Sequence, residues 1–156
     1  MSDSGVEAKV PREHTIRLQV RQRDTDYLGI VYNPVYLDYA MEAVFQHVEK
    51  YGFGVQQLNT FGGHFVVRRH QIEYRRAARA GDELLVTTRI LGMKGVLASR
   101  ATRIVDAACG ALVAEAKTDY VWVKESERPG RIPAAVLNCF DWEGKEPGEG
   151  LASSQD

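Results

Sequence analysis

The stretch Asp24-Thr25-Asp26-Tyr27-Leu28-Gly29 puts two carboxylates and a glycine in a short polar loop, just ahead of a helix start at Asn33-Pro34. An aspartate is ionised at neutral pH, its ordinary pKa being about 3.9. It can attack an electrophilic carbon directly or take a proton from water. The free N–H groups at a helix start carry partial positive charge and point at whatever lies in front of them. Carboxylate and helix end together suit chemistry at a carbonyl: one attacks or activates, the other holds the developing oxyanion. Gly29 tolerates φ > 0 and lets the loop fold back on the helix end. The competing reading is that an aspartate here only shapes a turn through its side chain. An Asp-x-Asp pair can also hold a divalent metal in sugar transferases, but no nucleotide-binding strand–loop pattern accompanies this one, so no metal is expected.

The surrounding elements must position that loop. His14-Thr-Ile-Arg-Leu-Gln-Val-Arg-Gln22 alternates, with Ile16, Leu18 and Val20 on one face, which is the period of a half-buried strand. After the loop, Asn33 is expected to N-cap a helix, with Pro34 in the first helical position. The body runs from Val35 to about Tyr51, and Gly52 closes it. Its apolar residues, among them Leu37, Tyr39, Met41, Val44, Phe45 and Val48, do not share one face, so the helix is expected to be surrounded on most sides. Beyond the turn Phe61-Gly-Gly-His64 the signals are strand-like: His64–Tyr74, Glu83–Leu91, Val96–Val105 and Ala111–Val123, with Gly92-Met-Lys-Gly95 as a turn. Short glycine-containing turns imply antiparallel neighbours. Arg131–Phe140 reads as a short helix.

These elements predict an α+β chain: a long antiparallel sheet of about five strands wrapped around one central helix. Residues 1–13 form a polar N-terminal segment, 14–142 a single domain and 143–156 a disordered polar tail. A single such sheet leaves long edges open, so a homo-oligomer is expected, a dimer or a dimer of dimers. The 20 Lys+Arg against 21 Asp+Glu argue against a nucleic-acid partner. No apolar run approaches a membrane span of about 20 residues. Cys109 and Cys139 fit no zinc or redox spacing, and the start of the chain has no secretory pattern; a cytoplasmic location is expected.

The stretch Asp24–Ala43, "DTDYLGIVYNPVYLDYAMEA", resembles the motif of hotdog-fold thioesterases of the 4-hydroxybenzoyl-CoA thioesterase type. Tyr74–Ile90 and Glu115–Pro133 are similar to that family's second and third strands and to its last strand with the helix entry. The likeness spans roughly residues 15–140. It implies a hotdog fold and an acyl-CoA thioesterase releasing a free acid and CoA. Asp26 rather than Asp24 would be the nucleophile or general base, and the backbone amide of Asn33 the oxyanion donor. Gly29, Tyr32 and Tyr36 would contact substrate, and Lys94 matches a basic turn that touches nucleotide phosphate. No cofactor is implied; CoA enters with the substrate. Many members carry His where this chain has Asn33, and a polar residue where it has Val35. Glu42 lies one position away from a helix glutamate found in some.

The alternatives are an acyl carrier protein (ACP) thioesterase of the same fold, docking its acidic carrier on the arginines of 68–79, and a non-catalytic acyl-binding module. The second would not need Asp26. A dehydratase is disfavoured because Val66 stands where its His-Phe-Pro motif has proline. His64 is therefore assigned no catalysis, and His47 reads as a partly exposed helix residue. Arginines alternating along a strand are usually a solvated face, and Tyr36, Tyr39 and Phe45 are as readily core as pocket.

Overall fold

The computed structural model describes residues 10–144. Its sheet has five strands: β1 (Glu13–Gln19), β2 (Gly63–Tyr74), β3 (Glu83–Lys94), β4 (Leu97–Asp106) and β5 (Leu112–Lys124). They lie in the order β1-β3-β4-β5-β2, with every pairing antiparallel. The helix α1 (Val35–Lys50) packs across β1, β3, β4 and β5. Two short helices complete the fold, α2 (Val55–Asn59) and α3 (Ala134–Leu137). This is the hotdog arrangement expected from the sequence.

Alternation dictates which strand residues meet the helix. Ile16 opposes Val86, and Ile104 opposes Ala114, with all four side chains buried. They join Tyr36, Tyr39, Ala43 and Leu84 in one core cluster beneath the first half of α1. A second cluster under its far end gathers Phe53, Ile90, Tyr120, Trp122, Val136 and Phe140. Fully burying side chains of this kind contributes roughly 1.5–3 kcal/mol each.

The end of α1 follows the expectation. Gly52 has φ +80°; its amide donates to the Glu49 carbonyl at 3.2 Å and the Phe53 amide to that of Val48 at 2.8 Å. That paired closure needs a left-handed residue, which glycine adopts without strain. The start of α1 requires a correction. Pro34 already has helical dihedrals (φ −62°, ψ −23°), and no side chain caps the helix. The first bonds are tight: the amides of Val35, Tyr36 and Leu37 donate to the carbonyls of Tyr32, Asn33 and Pro34 at 2.8, 3.2 and 3.1 Å. With its turn closed through backbone, Asn33 leaves its side chain exposed and does not cap.

Three further expectations are corrected. α1 is not surrounded: Tyr36, Tyr39, Ala40, Ala43 and His47 are buried on one stripe, while Phe45 on the other side is 55% exposed. The β3–β4 turn is not Gly92–Gly95 but Gly95-Val96, since Lys94 pairs with Leu97 and only Gly95 takes a positive φ, +63°. Gly92 lies within β3, beside a bulge. Of the expected polar segment 1–13, residues 1–9 lie outside the described residues, and the ordered domain reaches back past residue 14: Val10 is fully buried and bridges Phe140, and β1 begins at Glu13. At the other end, the Glu143 amide donates to the Ile90 carbonyl at 3.1 Å, and residues 145–156 of the expected tail lie outside the described residues.

Candidate active site

The loop between β1 and α1 is built by short backbone bonds. A single 3₁₀ turn covers Gln22–Asp24. Asp26 then heads a tight turn: its carbonyl accepts from Gly29 N at 2.9 Å, and its Oδ1 accepts from Leu28 N at 2.8 Å. Gly29 closes the turn with φ +79°, as its position requires. The chain doubles back, with Asp26 N donating to Ile30 O at 2.9 Å and Thr25 bridging Val31. Val31 N then donates to Ala78 O at 2.8 Å, which ties the return to the β2–β3 connection. The chain enters α1 immediately afterwards.

The two aspartates are thus different objects. Asp24 is structural: its Oδ2 accepts from the Tyr39 hydroxyl at 2.8 Å and from Arg21 N at 3.0 Å, and its carbonyl accepts from Tyr32 N at 3.0 Å. Burial and the Asp24 acceptor raise the Tyr39 hydroxyl above the ordinary phenol range. Asp26 spends one carboxylate oxygen on the Leu28 amide, and its Oδ2 meets no donor among the described residues. The Asn33 amide is also unengaged: it donates to no backbone acceptor among the described residues, while its carbonyl accepts from Tyr36 N and, at 3.4 Å, from the Tyr74 hydroxyl. Carboxylate, turn and unengaged amide therefore sit at one end of the helix.

The other sequence candidates divide. Tyr32 is 59% exposed beside the loop. Tyr36 is buried in the core; its hydroxyl accepts from Ala78 N at 3.0 Å, while its edge reaches a small groove shared with Asn33 and Tyr74. Lys94 is not brought to the loop within one protomer. It ends β3, while the Asp26 loop adjoins the opposite end of that strand through the bonds of Val20 to Asp82 and Val31 to Ala78. Eleven residues of strand separate the two ends of β3, roughly 35 Å. His64 lies within 3.3 Å of the Asn59 side chain, bracing α2 against β2.

Two residues missed from the sequence stand in the helix–sheet interface. His47 is fully buried, not partly exposed, and its Nδ1 is 3.0 Å from Arg100 Nη1. Burial lowers its pKa to about 3, helped by Arg100, His14 and Lys50, so the ring is neutral and Nδ1 accepts. Arg100 is 6% exposed and also reaches the Thr88 hydroxyl at 3.1 Å. The signal was present: Arg100 shares strand parity with Ala98, Thr102 and Ile104, the inward set of β4.

The profile of the thioesterase-like superfamily matches residues 20–140. The acyl-CoA thioester hydrolase YbgC of Escherichia coli is 31% identical over 124 residues, 79% of this chain and 92% of that protein. An acyl-acyl carrier protein thioesterase of Arabidopsis thaliana chloroplasts is 28% identical over 127 residues, 81% of this chain and 68% of that one. Among solved structures, a Thermus thermophilus thioesterase complexed with coenzyme A and Zn superposes with a TM-score of 0.68 at 29% identity, covering 79% of this chain and 88% of that one.

Proposed function

From the premise that this chain belongs to the thioesterase-like superfamily, and is with it a thioester hydrolase, we propose that it hydrolyses an acyl-CoA to the free acid and CoA at the Asp26–Asn33 end of α1. The observation that carries the site is the pairing of a half-engaged carboxylate with an unengaged helix-start amide. Asp26 serves as nucleophile or as general base toward water. The Asn33 amide, with the positive helix end behind it, receives the charge that develops on the carbonyl oxygen. A thiol leaves with a pKa of about 8.5 and needs no strong general acid, so this reading calls for no metal or prosthetic group. Gly29 and Tyr32 border the reacting group, and the groove edge of Tyr36 lies behind it. Lys94, remote within one protomer, would act on the CoA phosphates of a site completed by a second copy.

Support for CoA as the carrier comes from the YbgC relative, matched over most of its length. The Arabidopsis relative and the exposed Arg68, Arg76 and Arg79 favour a second reading, in which an acidic ACP presents the acyl group. Thiol release from matched acyl-CoA and acyl-ACP panels separates the two. We expect kcat/KM at least about tenfold higher on CoA, since docking differences of this order reflect one or two charged contacts. Higher activity on acyl-ACP moves the assignment to the carrier protein; no release from either refutes hydrolysis.

The assembly belongs to the same reading. β2 is an edge strand, with Val66 and Val67 at 43% and 38% exposed, and Tyr27 and Leu28 beside the catalytic turn at 94% and 60%. A homo-oligomer, a dimer or a dimer of dimers, would cover both. No helix among the described residues is long and apolar enough to cross a membrane, and both cysteines are free; we assign the enzyme to the cytoplasm.

Asn33→Ala tests the oxyanion assignment. The side chain makes no cap, so the thermal midpoint should hardly move, with a stability change within about 0.5 kcal/mol. The amide survives the substitution, so kcat should fall by no more than a few fold. A folded Asn33→Ala enzyme that is as inactive as a carboxylate knockout shows the side chain, not the amide, in the chemistry.

A further inference from the structure

A cavity of about 490 Å³ runs along the open side of α1, between it and the sheet. That volume is in the range of pockets that take a small organic group. Met41, Phe45, Ile90 and Tyr120 make its walls apolar, and the exposed Asp38 and Glu42 stand at its rim beside the first turns of the helix. The polar residues of the wall are Ser99, whose hydroxyl donates to Asp119, and Arg100. Its Nη1 is spent on His47 Nδ1 and Thr88 Oγ1, both neutral acceptors. Its Nε and Nη2 donate to no described residue, and no described carboxylate lies within ion-pair distance of it. A buried cation is ordinarily paired, because an uncompensated charge out of water is expensive. Among the described residues the cavity offers Arg100 a fork of donors, a positive charge and an apolar approach, with no carboxylate close enough to pair with it.

We propose that this cavity receives an acyl group ending in a carboxylate, and that Arg100 is the specificity-determining residue that binds that carboxylate through Nε and Nη2. The word acyl rests on the thioester-hydrolase reading above; the anion site does not. The planar guanidinium matches a carboxylate in two parallel bonds, which a methyl end cannot reproduce. The neutral His47 holds Nη1 and so fixes the plane of the fork. From the rim at Asp38 to the level of His47 is nine helical residues, roughly 14 Å, which sets the reach of the chain.

Two measurements test this. In the first, calorimetry compares decanoate with decanol on the intact wild-type protein and on Arg100→Met. Decanoate should bind at least about tenfold tighter than decanol, the low end for a hydrogen bond to a charged group, and Arg100→Met should erase the difference. Arg100→Met removes a buried charge that is costly to desolvate, at the expense of the donor to His47 and Thr88. If that variant does not fold, the wild-type comparison decides by itself. In the second, thiol release compares ω-carboxyacyl-CoA with methyl-ended acyl-CoA of equal length. Wild type should favour the carboxylated chain by roughly ten- to a hundredfold in kcat/KM, Arg100→Met should reverse the order, and Arg100→Lys should fall between. Equal affinity for decanoate and decanol in the wild type overturns the proposal, as does an Arg100→Met variant that weakens both ligands alike. Discrimination between the ligands with no hydrolysis of any thioester leaves the anion site standing and removes the hydrolase reading instead.

Discussion

Asp26→Asn should lower kcat by at least about a hundredfold, the low end for losing a general base, with the thermal midpoint unchanged. The reason lies in how the residue is held. Oδ1 accepts the Leu28 amide at 2.8 Å, and an asparagine carbonyl oxygen accepts the same bond. The turn closed by Gly29 and the return through Ile30 are backbone bonds that the substitution leaves alone. What disappears is the charge and the basicity of the second oxygen. An amide neither attacks a thioester nor takes a proton from water at neutral pH. Asp24→Asn is the matched control: that carboxylate binds the Tyr39 hydroxyl and the Arg21 amide, so its loss should act on stability more than on turnover. The assay is kcat under saturating acyl-CoA, beside thermal melts of both variants. An Asp26→Asn enzyme that keeps more than about a third of its rate sinks the mechanism.

Much of the frame that carries this loop was legible in the residues. Period-two alternation put Ile16, Leu18 and Val20 on one face, and Ile16 and Val20 are buried with Leu18 packed against the same cluster, because a half-buried sheet tolerates no other pattern. Gly52 marked the end of α1, because only a left-handed residue permits the paired closure seen there. The errors have physical causes too. Asn33 is a good cap by type, but backbone bonds had already closed the turn. Gly92 and Gly95 look equivalent in sequence, yet only one sits where the chain must take a positive φ. α2 is five residues, too short to show a helical period. The apolar residues spread round α1 suggest burial on most sides, whereas the protomer buries one stripe and leaves Met41, Val44 and Phe45 against a cavity. His47 was misplaced for the same reason: its stripe is set by the sheet it faces, and only Arg100, opposite, makes a buried histidine there intelligible. Comparing strand parities for an inward charge would have found that pair.

Asp119→Ala should cost about 3–5 kcal/mol of stability, the usual penalty for stranding one member of a buried ion pair. Asp119 is 6% exposed on β5. Its Oδ1 accepts from the Ser99 hydroxyl at 2.7 Å and faces Lys117 Nζ at 3.3 Å, while Arg69 reaches Oδ2 through Nε and Nη2 at 3.1 and 2.9 Å. Lys117 is 3% exposed and its ammonium makes no hydrogen bond; the Asp119 carboxylate is what neutralises it. Removing that carboxylate leaves the ammonium buried and alone, whereas Asp119→Leu combined with Lys117→Met removes both charges and should recover most of the loss. The pH dependence has a definite sign. Burial pushes the Asp119 carboxyl up, but Ser99, Lys117 and Arg69 outweigh it, and the net shift is downward. A carboxyl lowered on folding contributes stability above its ordinary pKa of about 3.9 and loses it as pH falls through the folded value. The gap between wild type and Asp119→Ala should therefore be full at pH 7 and shrink below about pH 4. Urea melts at fixed protein concentration, at neutral pH and near pH 3, measure it, the fixed concentration holding any assembly contribution constant. A gap under about 1 kcal/mol at pH 7, or one that acid does not narrow, shows that Lys117 finds its neutralisation elsewhere, since each outcome removes the carboxylate from its role as counter-ion.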